Sequence, residues 1–321
     1  MRTGRILLIL LAAVAVALSL FNASWIAGTP PGRLIVVANR GITQAPRPGA
    51  AGPCAGAQIQ TPEMNFIENS VPALRQVRNM GGNGVAIDVR RTADGRAVAF
   101  RDETLDCRTD GTGRVADASF EALRRLDAGY RYTADGGATF PLRGRGVGLI
   151  PSVADILYEI RQTPILFVIH GEDAAAADAL AAEFRTARTE IDDRFVFLGA
   201  EPVVARMRML APRAFASSPQ AATGCLAGYR RSGWLGIVPG DCRGALVALT
   251  PGANWTLWGW PYRFLKRLAG AGGRAILVEA IGQDGTLRGL TRADQLPEVP
   301  IGYRGYLLIE DMPRAGRALA R

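Results

Sequence analysis

The sequence predicts an α/β domain built on parallel strands, closed into a barrel or left as an open sheet. Two observations carry this reading. Short apolar, β-branched runs alternate with helix-like segments between residues 34 and 309, which is the pattern of repeated strand–helix units. Most of these runs are apolar without interruption instead of alternating, as strands buried on both faces are. A hydrophobic content of 48% beside 21% charged residues supplies a sizeable core and excludes a disordered chain.

The first segment stands apart from that pattern. Arg2 and Arg5 precede an apolar run from Ile6 to Phe21 that continues weakly to Ala27. This is the charge layout of a signal peptide or a membrane anchor, and residues 1–29 are assigned to one of these. A spanning helix needs about 20 mostly apolar residues, so residues 6–27 suffice. The candidate cleavage site Ala17-Leu18-Ser19 lies inside the apolar run, which favours an uncleaved anchor. The segment is apolar on every face, unlike a helix packed on a globular domain.

Strands follow at 34–38, 84–89, 97–100, 165–169, 195–198, 214–216, 245–249, 275–279 and 306–309. These are nine candidates for the eight places of a barrel, so one must lie outside it. Helices are expected at 71–80, 153–161, 174–189 and 261–269. The third of these follows Glu172-Asp173, whose charges suit a helix N-terminus. The Gly- and Arg-rich stretch 104–150 breaks the alternation, and a loop of that length reads as functional or as a small subdomain.

The net charge is +9 and the sequence pI about 10.0. Lys266 is the only lysine, so 37 of the 38 basic residues are arginine. Composition bias accounts for that, as does attraction to phosphate groups or an anionic bilayer. No basic run is interleaved with aromatics, so a nucleic-acid partner has no support. Cys54, Cys107, Cys225 and Cys242 form no Cys-x-x-Cys pair. An even count fits two disulfides in an oxidising compartment. Cys225 and Cys242 flank a loop rich in Gly and Arg and are paired first, leaving Cys54 with Cys107; four free thiols are the alternative.

Functional groups of parallel barrels sit at the C-terminal ends of strands. Asn39-Arg40 ends the first strand candidate, Asp88 falls near the end of the second, and Arg101-Asp102 ends the third. With Asn39-Arg40-Gly41, Ile67-Glu68-Asn69-Ser70, Val85-Ala86-Ile87-Asp88-Val89 and Arg101-Asp102-Glu103, the chain resembles the glycerophosphodiester phosphodiesterases. The stretches 105–111, 132–137, 143–148 and 257–265 are similar to a Gram-negative branch of that family. The resemblance implies a TIM (β/α)8 barrel of the PLC-like phosphodiesterase type over residues 30–321, with a loop-rich insertion at about 104–150 after the third strand. It also implies a periplasmic domain held on the inner membrane by residues 6–27.

The family's reaction is hydrolysis of a phosphodiester linked to glycerol, with a divalent cation (Ca²⁺ or Mg²⁺) and two histidines for proton transfer. By the resemblance Arg40 takes the phosphate-binding position, Glu68 and Asp88 two metal-ligand positions, and Asn69 and Asp102 are retained. Both histidine positions are substituted, as Asn39 and Arg101, and a ligand Glu is Ala86. A later acidic ligand falls at Val168 and the following Lys at His170, and Glu310-Asp311 stands where the last strand ends in Thr-Asp. Asn39 cannot exchange a proton near neutral pH, and Arg101 stays protonated. The expectation is therefore a lost metal site, with Arg101 pairing Glu68 and Asp88 in the cation's place and Arg40 left to bind phosphate.

His170, the only histidine, reads as a structural residue or as a substitute base, and Glu103 as a solvated carboxylate or a substitute acid. Trp258 and Trp260 read as core packing or as an apolar lip for a glycerol or lipid moiety. Three functions follow. The first is a catalytically impaired family member that binds glycerophosphodiesters or phospholipid headgroups. The second is an active phosphoric diester hydrolase using substitute groups. The third is a membrane-tethered binding or assembly partner.

Overall fold

The computed structural model describes residues 2–47, 49–50, 54–252, 254, 256–282 and 286–319. An apolar helix, α1 (Arg2–Asn22), leads into strand β1 (Leu34–Asn39), helix α2 (Val71–Arg75) and strands β2 (Gly84–Arg91) and β3 (Ala97–Ala99). Helices α3 (Phe120–Leu123) and α4 (Val153–Glu159) precede β4 (Ile165–Ile169), α5 (Ala175–Thr186), β5 (Phe195–Leu198) and α6 (Glu201–Leu210). Then come β6 (Phe215–Ser217), α7 (Pro219–Ser232), β7 (Leu246–Leu249), α8 (Tyr262–Gly270) and β8 (Arg274–Leu277). A short hairpin, β9 (Ala280–Ile281) and β10 (Leu287–Arg288), precedes the last strand, β11 (Gly305–Ile309).

Eight strands run parallel in the order β6-β5-β4-β2-β1-β11-β8-β7, with helices outside them. This is the (β/α)8 barrel, nearly closed. At its seam, between β6 and β7, the Leu246 amide donates to Ser217 Oγ at 2.8 Å, a side chain standing in for a ladder partner. The strand left over from the nine is β3, which pairs antiparallel with β2 (Val89 opposite Ala99). Arg101-Asp102 therefore ends a turned-back arm and not a barrel strand. The arm still delivers Arg101 to the rim, because the Phe100 amide donates to the Asp88 carbonyl at 3.0 Å.

The uninterrupted apolar runs are explained by burial on both faces. Phe167, Phe195 and Phe197 pack outward against the helices, and Phe167 stacks on Phe197 with centroids 5.2 Å apart. Val37, Ala86, Leu166, Val196, Leu246, Ile276 and Leu308 fill the barrel interior. The stretch 104–150 has a core of its own, in which Leu105, Val115, Phe120, Leu123, Tyr132, Leu142 and Ile150 pack on Val98 and Phe100. Disulfides join Cys54 to Cys107 and Cys225 to Cys242, matching the sequence pairing. The first ties this subdomain to the chain leaving β1, and the second ties α7 to the turn before β7.

Candidate active site

The strand ends bring Asn39, Arg40, Glu68, Asp88, Arg101, His170 and Glu310 to one face of the barrel. Arg40 follows β1 with φ +62°, and Asn69 faces it with φ +57°. The left-handed region is costly for residues with a side chain, and such strain collects at functional sites. Here the backbones lock each other: the Asn69 amide donates to the Arg40 carbonyl at 2.9 Å, and the Arg40 amide to the Ala86 carbonyl at 2.8 Å. The turn holds Arg40 at the rim against Glu68 and Glu310, the latter at the end of the neighbouring strand β11.

Arg40 is buried, and its guanidinium is held by two carboxylates. Nε donates to Glu68 Oε2 at 3.2 Å and Nη2 to Glu310 Oε1. Asn39 Nδ2 donates to the other Glu310 oxygen at 2.7 Å. A second buried arginine, Arg108, comes from the inserted subdomain. Its Nη1 lies 3.1 Å from Glu68 Oε2, its Nε pairs with Asp102, and Nη1 also donates to the Tyr132 hydroxyl at 2.6 Å. Burial by itself would push both guanidinium pKa values down. For Arg40 the charges of Glu310, Glu68 and Asp88 outweigh it, and for Arg108 those of Glu68 and Asp102. Both stay fully cationic.

These pairs correct the sequence expectation. Glu68 is paired with Arg40 and Arg108, not with Arg101, and Arg40 pairs with Glu68 and Glu310. Asp102 is tied to Arg108, and Glu103 is turned outward to Arg114 at 3.2 Å, away from the rim. Trp258 and Trp260 line neither part of the rim cavity; Trp258 Nε1 donates to the Arg230 carbonyl at 3.1 Å and Trp260 packs near Phe264. Arg108 and Glu310 were not among the sequence candidates. Glu310 was legible from its place at the end of the last strand, whereas nothing in the insertion's sequence singles out Arg108.

A second pair lies across the rim. His170 Nε2 is 2.6 Å from Asp88 Oδ1, Asn69 Nδ2 donates to Asp88 Oδ2 at 3.2 Å, and the Asp88 amide donates to Asn69 Oδ1. Burial would raise the Asp88 pKa, but the hydrogen bond and charge of His170, with the charges of Arg40 and Arg101, hold it well below the carboxylate range. Arg101 makes no side-chain hydrogen bond or ion pair among the described residues. It lines the cavity with its guanidinium available.

These residues do not suit a divalent cation. Among the described residues no three His, Cys, Asp or Glu side chains converge on one point. Glu68, Glu310 and Asp88 each face a cationic or amide donor, and Ala86 and Val168, at two ligand positions implied by the resemblance, offer no donor atom. Arg40 and Arg108 place fixed positive charge among the carboxylates.

Two lobes open from Arg101. One, of about 870 Å³, is lined by charged groups including Arg40, Arg101, Glu279, Arg288, Arg292 and Arg314. The other, of about 550 Å³, descends into the barrel mouth beside Asp88 and His170. Arg40, Arg101, Ile281, Thr286 and Leu287 line both.

Fold and rim together define a (β/α)8 barrel protein with an arginine–carboxylate centre at the C-terminal ends of its strands. Residues 57–196 match the model of the glycerophosphoryl diester phosphodiesterase family. Glycerophosphodiester phosphodiesterase 1 of Bos taurus is 37% identical over 117 residues, 35% of this chain and 33% of the bovine protein. The glycerophosphodiester phosphodiesterase of Caldanaerobacter subterraneus is 38% identical over 68 residues, 21% of this chain and 28% of that protein. The matched segments thus span about a third or less of these relatives. Structural likeness reaches further. The glycerophosphoryl diester phosphodiesterase domain of a Mycobacterium tuberculosis protein superposes with TM-score 0.63 at 17% identity, covering 90% of this chain and 100% of that one. A phosphodiesterase of Oleispira antarctica, solved with the product sn-glycerol-3-phosphate, gives 0.57 at 16% identity, covering 89% and 97%. At such identities the likeness concerns the fold.

Proposed function

We propose that this chain is a glycerophosphodiester phosphodiesterase-family protein with impaired hydrolysis, whose rim binds a phosphorylated headgroup through Arg101. One observation carries the reading: Glu68, a ligand position by resemblance, is clamped between Arg40 and Arg108. Two guanidinium groups supply the positive charge among the carboxylates. Neither Asn39 nor Arg101 shuttles a proton near neutral pH, and loss of one positioned acid–base group costs about 10²- to 10⁴-fold in rate. Arg101, without a side-chain partner among the described residues, stands where the two lobes meet and is the group a phosphate entering either lobe would find. Its Nη1 and the unpartnered, buried Nη2 of Arg108 both approach Gly56, where a Cβ would overlap the latter. The protein is further proposed to be exported and held at the periplasmic side of a membrane by α1.

The test is hydrolysis of glycerophosphocholine, glycerophosphoethanolamine and bis-p-nitrophenyl phosphate with Ca²⁺, Mg²⁺ or EDTA, beside calorimetric binding of sn-glycerol 3-phosphate. The expected result is binding weakened at least tenfold by Arg101→Ala, with no metal-dependent turnover. Turnover that needs a divalent cation and survives in Arg101→Ala would refute the reading.

The 2.6 Å contact between Asp88 and His170 favours a second reading, an active hydrolase in which a carboxylate-oriented imidazole replaces the lost base. It requires turnover abolished by His170→Asn with binding retained.

A further inference from the structure

The chain leaving α1 meets the barrel at the end where its strands begin, opposite the rim. The turn 233–237, on the way from α7 to β7, runs beside the helix's last turn: a Cβ on Gly236 would come within 2.7 Å of the Phe21 ring. Thr29 likewise lies against Gly302, just ahead of β11. α1 is long and apolar enough to cross a membrane. A residue beside the last turn of a spanning helix stands at the level of the lipid headgroups.

That level carries exposed apolar side chains. Trp25 is 76% exposed, and Trp234, Leu235, Ile237 and Trp258 are exposed as well. The two indoles on the barrel have their N–H groups satisfied, Trp234 Nε1 by the Arg231 carbonyl and Trp258 Nε1 by the Arg230 carbonyl, each at 3.1 Å. Their rings therefore enter a less polar layer without stranding a donor, and Trp is enriched in that layer. Charge follows the same sector. Residues 202–278 hold ten basic side chains and one carboxylate, Asp241, while the rest of the chain holds 28 of each, so the whole net charge of +9 resides in this stretch. Arg231, Arg263 and Lys266 donate to the carbonyls of Ala227, Ala23 and Ala27. Arg267, beside Phe21, donates to Asn22 Oδ1, the Tyr229 hydroxyl and the Gly233 carbonyl, all neutral. Among the described residues no carboxylate pairs with these four or with Arg230. Such a cluster attracts anionic lipid.

We propose that the barrel docks through this face on the bilayer its anchor crosses, with the indoles, Leu235 and Ile237 in the headgroup layer and the basic side chains on anionic lipid phosphates. This rests on α1 being a membrane span. What it adds is orientation: the rim, at the other end of the barrel, opens to the aqueous side, and its ligand arrives from water instead of from the lipids beneath. The patch is small, but it acts on a tethered chain, for which the bilayer is always at high local concentration.

The test places the full chain in nanodiscs containing phosphatidylglycerol and reads a nitroxide on one added cysteine, Leu235→Cys or, on the rim, Arg288→Cys. Both positions are exposed. Oxygen concentrates in the bilayer and a nickel chelate is excluded from it, so the ratio of their collision rates should be about tenfold higher at 235 than at 288. Arg230→Glu combined with Arg231→Glu should lower the ratio at 235 about threefold or more, and so should discs of zwitterionic lipid alone. Ile237→Cys, on the same turn, repeats the reading in case the cysteine at 235 disturbs the fold.

A label at 235 as wet as the one at 288, on a chain that resists carbonate extraction, would overturn the docking and leave α1 as a span. The same result on a chain that carbonate releases would remove the anchor and this inference with it. Immersion at 288 instead of 235 would reverse the orientation and overturn the proposal. A ratio at 235 indifferent to the charge reversal and to the lipid would overturn the part played by anionic lipid.

Discussion

Glu68 pairs with two buried guanidinium groups, and what that does to stability follows from what each partner loses without it. In Glu68→Gln the side chain keeps its shape and an acceptor oxygen but not its charge. Arg40 keeps Glu310, and Arg108 keeps Asp102, yet both remain out of water with one counter-charge fewer. Breaking a buried pair typically costs about 3–5 kcal/mol. The surviving carboxylates place the expected loss at the lower end, about 3 kcal/mol, read as a shift of the urea midpoint. Asp88 gives a prediction in pH. Its carboxyl is held below the usual range in the folded protein, so its contribution is complete above the unfolded value of about 3.9 and is lost as pH falls through the folded value. Between pH 5 and pH 3 the wild-type protein should therefore lose about 1 kcal/mol more than Asp88→Asn, and equal losses would show that the His170 contact does not stabilise the charge. The sequence made the substitutions at 39, 86 and 101 visible because they stand at strand ends. It did not reveal the exchange of partners. Arg101 stands at a position the resemblance marks, whereas the arginine that joins Arg40 on Glu68 is Arg108, carried there by a stretch whose fold no local pattern specifies.

At the scale of elements, all nine strand candidates exist within a few residues of where the apolar runs place them, because burial on two faces writes itself continuously into sequence. The odd strand was not identifiable. Residues 97–100 are as apolar as a barrel strand, since β3 is buried between β2 and the insertion's core. α7 went unassigned for the opposite reason: of its 14 residues only Cys225 and Tyr229 are buried, so no apolar stripe appears. The barrel's seam is likewise a property of pairing and not of pattern. β6 and β7 meet through Ser217 Oγ and the Leu246 amide, and that hydroxyl is the amide's partner in a buried place. Ser217→Ala should leave a buried N–H unpaired, at a cost of about 1–3 kcal/mol. Hydrogen exchange locates the effect: the Leu246 amide should exchange at least tenfold faster in the variant, while amides of β1 and β2, on the far side of the barrel, change only by the global loss. Uniform acceleration throughout would show that the seam is not a local weak point.

At the scale of the molecule, α1 is the feature the barrel does not explain. Its segment 4–22 is long and apolar enough to cross a membrane and none of it is buried. Leu8 and Ile9 are each about two-thirds exposed, at 68% and 67%. Left in water, that surface opposes solubility, since each buried square ångström of apolar area is worth about 25 cal/mol. The helix's end touches the barrel. Asn22 Nδ2 donates to the Trp234 carbonyl at 2.9 Å and Asn22 Oδ1 accepts from Arg267 at 2.9 Å. The Tyr262 amide donates to Ser24 Oγ at 2.8 Å, and the Arg267 guanidinium lies 4.9 Å from the Phe21 ring centroid. These contacts fix the exit of the helix on α8 without adding to the core, because α8 keeps Phe264, Leu265 and Leu268 buried against the barrel independently of α1. The barrel should therefore fold without the helix. A chain beginning at residue 28 should show the circular dichroism of the full protein and a melting temperature within a few degrees of it, yet remain in the supernatant after high-speed centrifugation of lysed cells. The full chain should sediment with membranes and resist carbonate extraction, as a spanning helix does and a peripheral contact does not. Release by carbonate would assign α1 to a surface association, and misfolding of the shortened chain would make the Asn22–Arg267 contacts part of the domain itself.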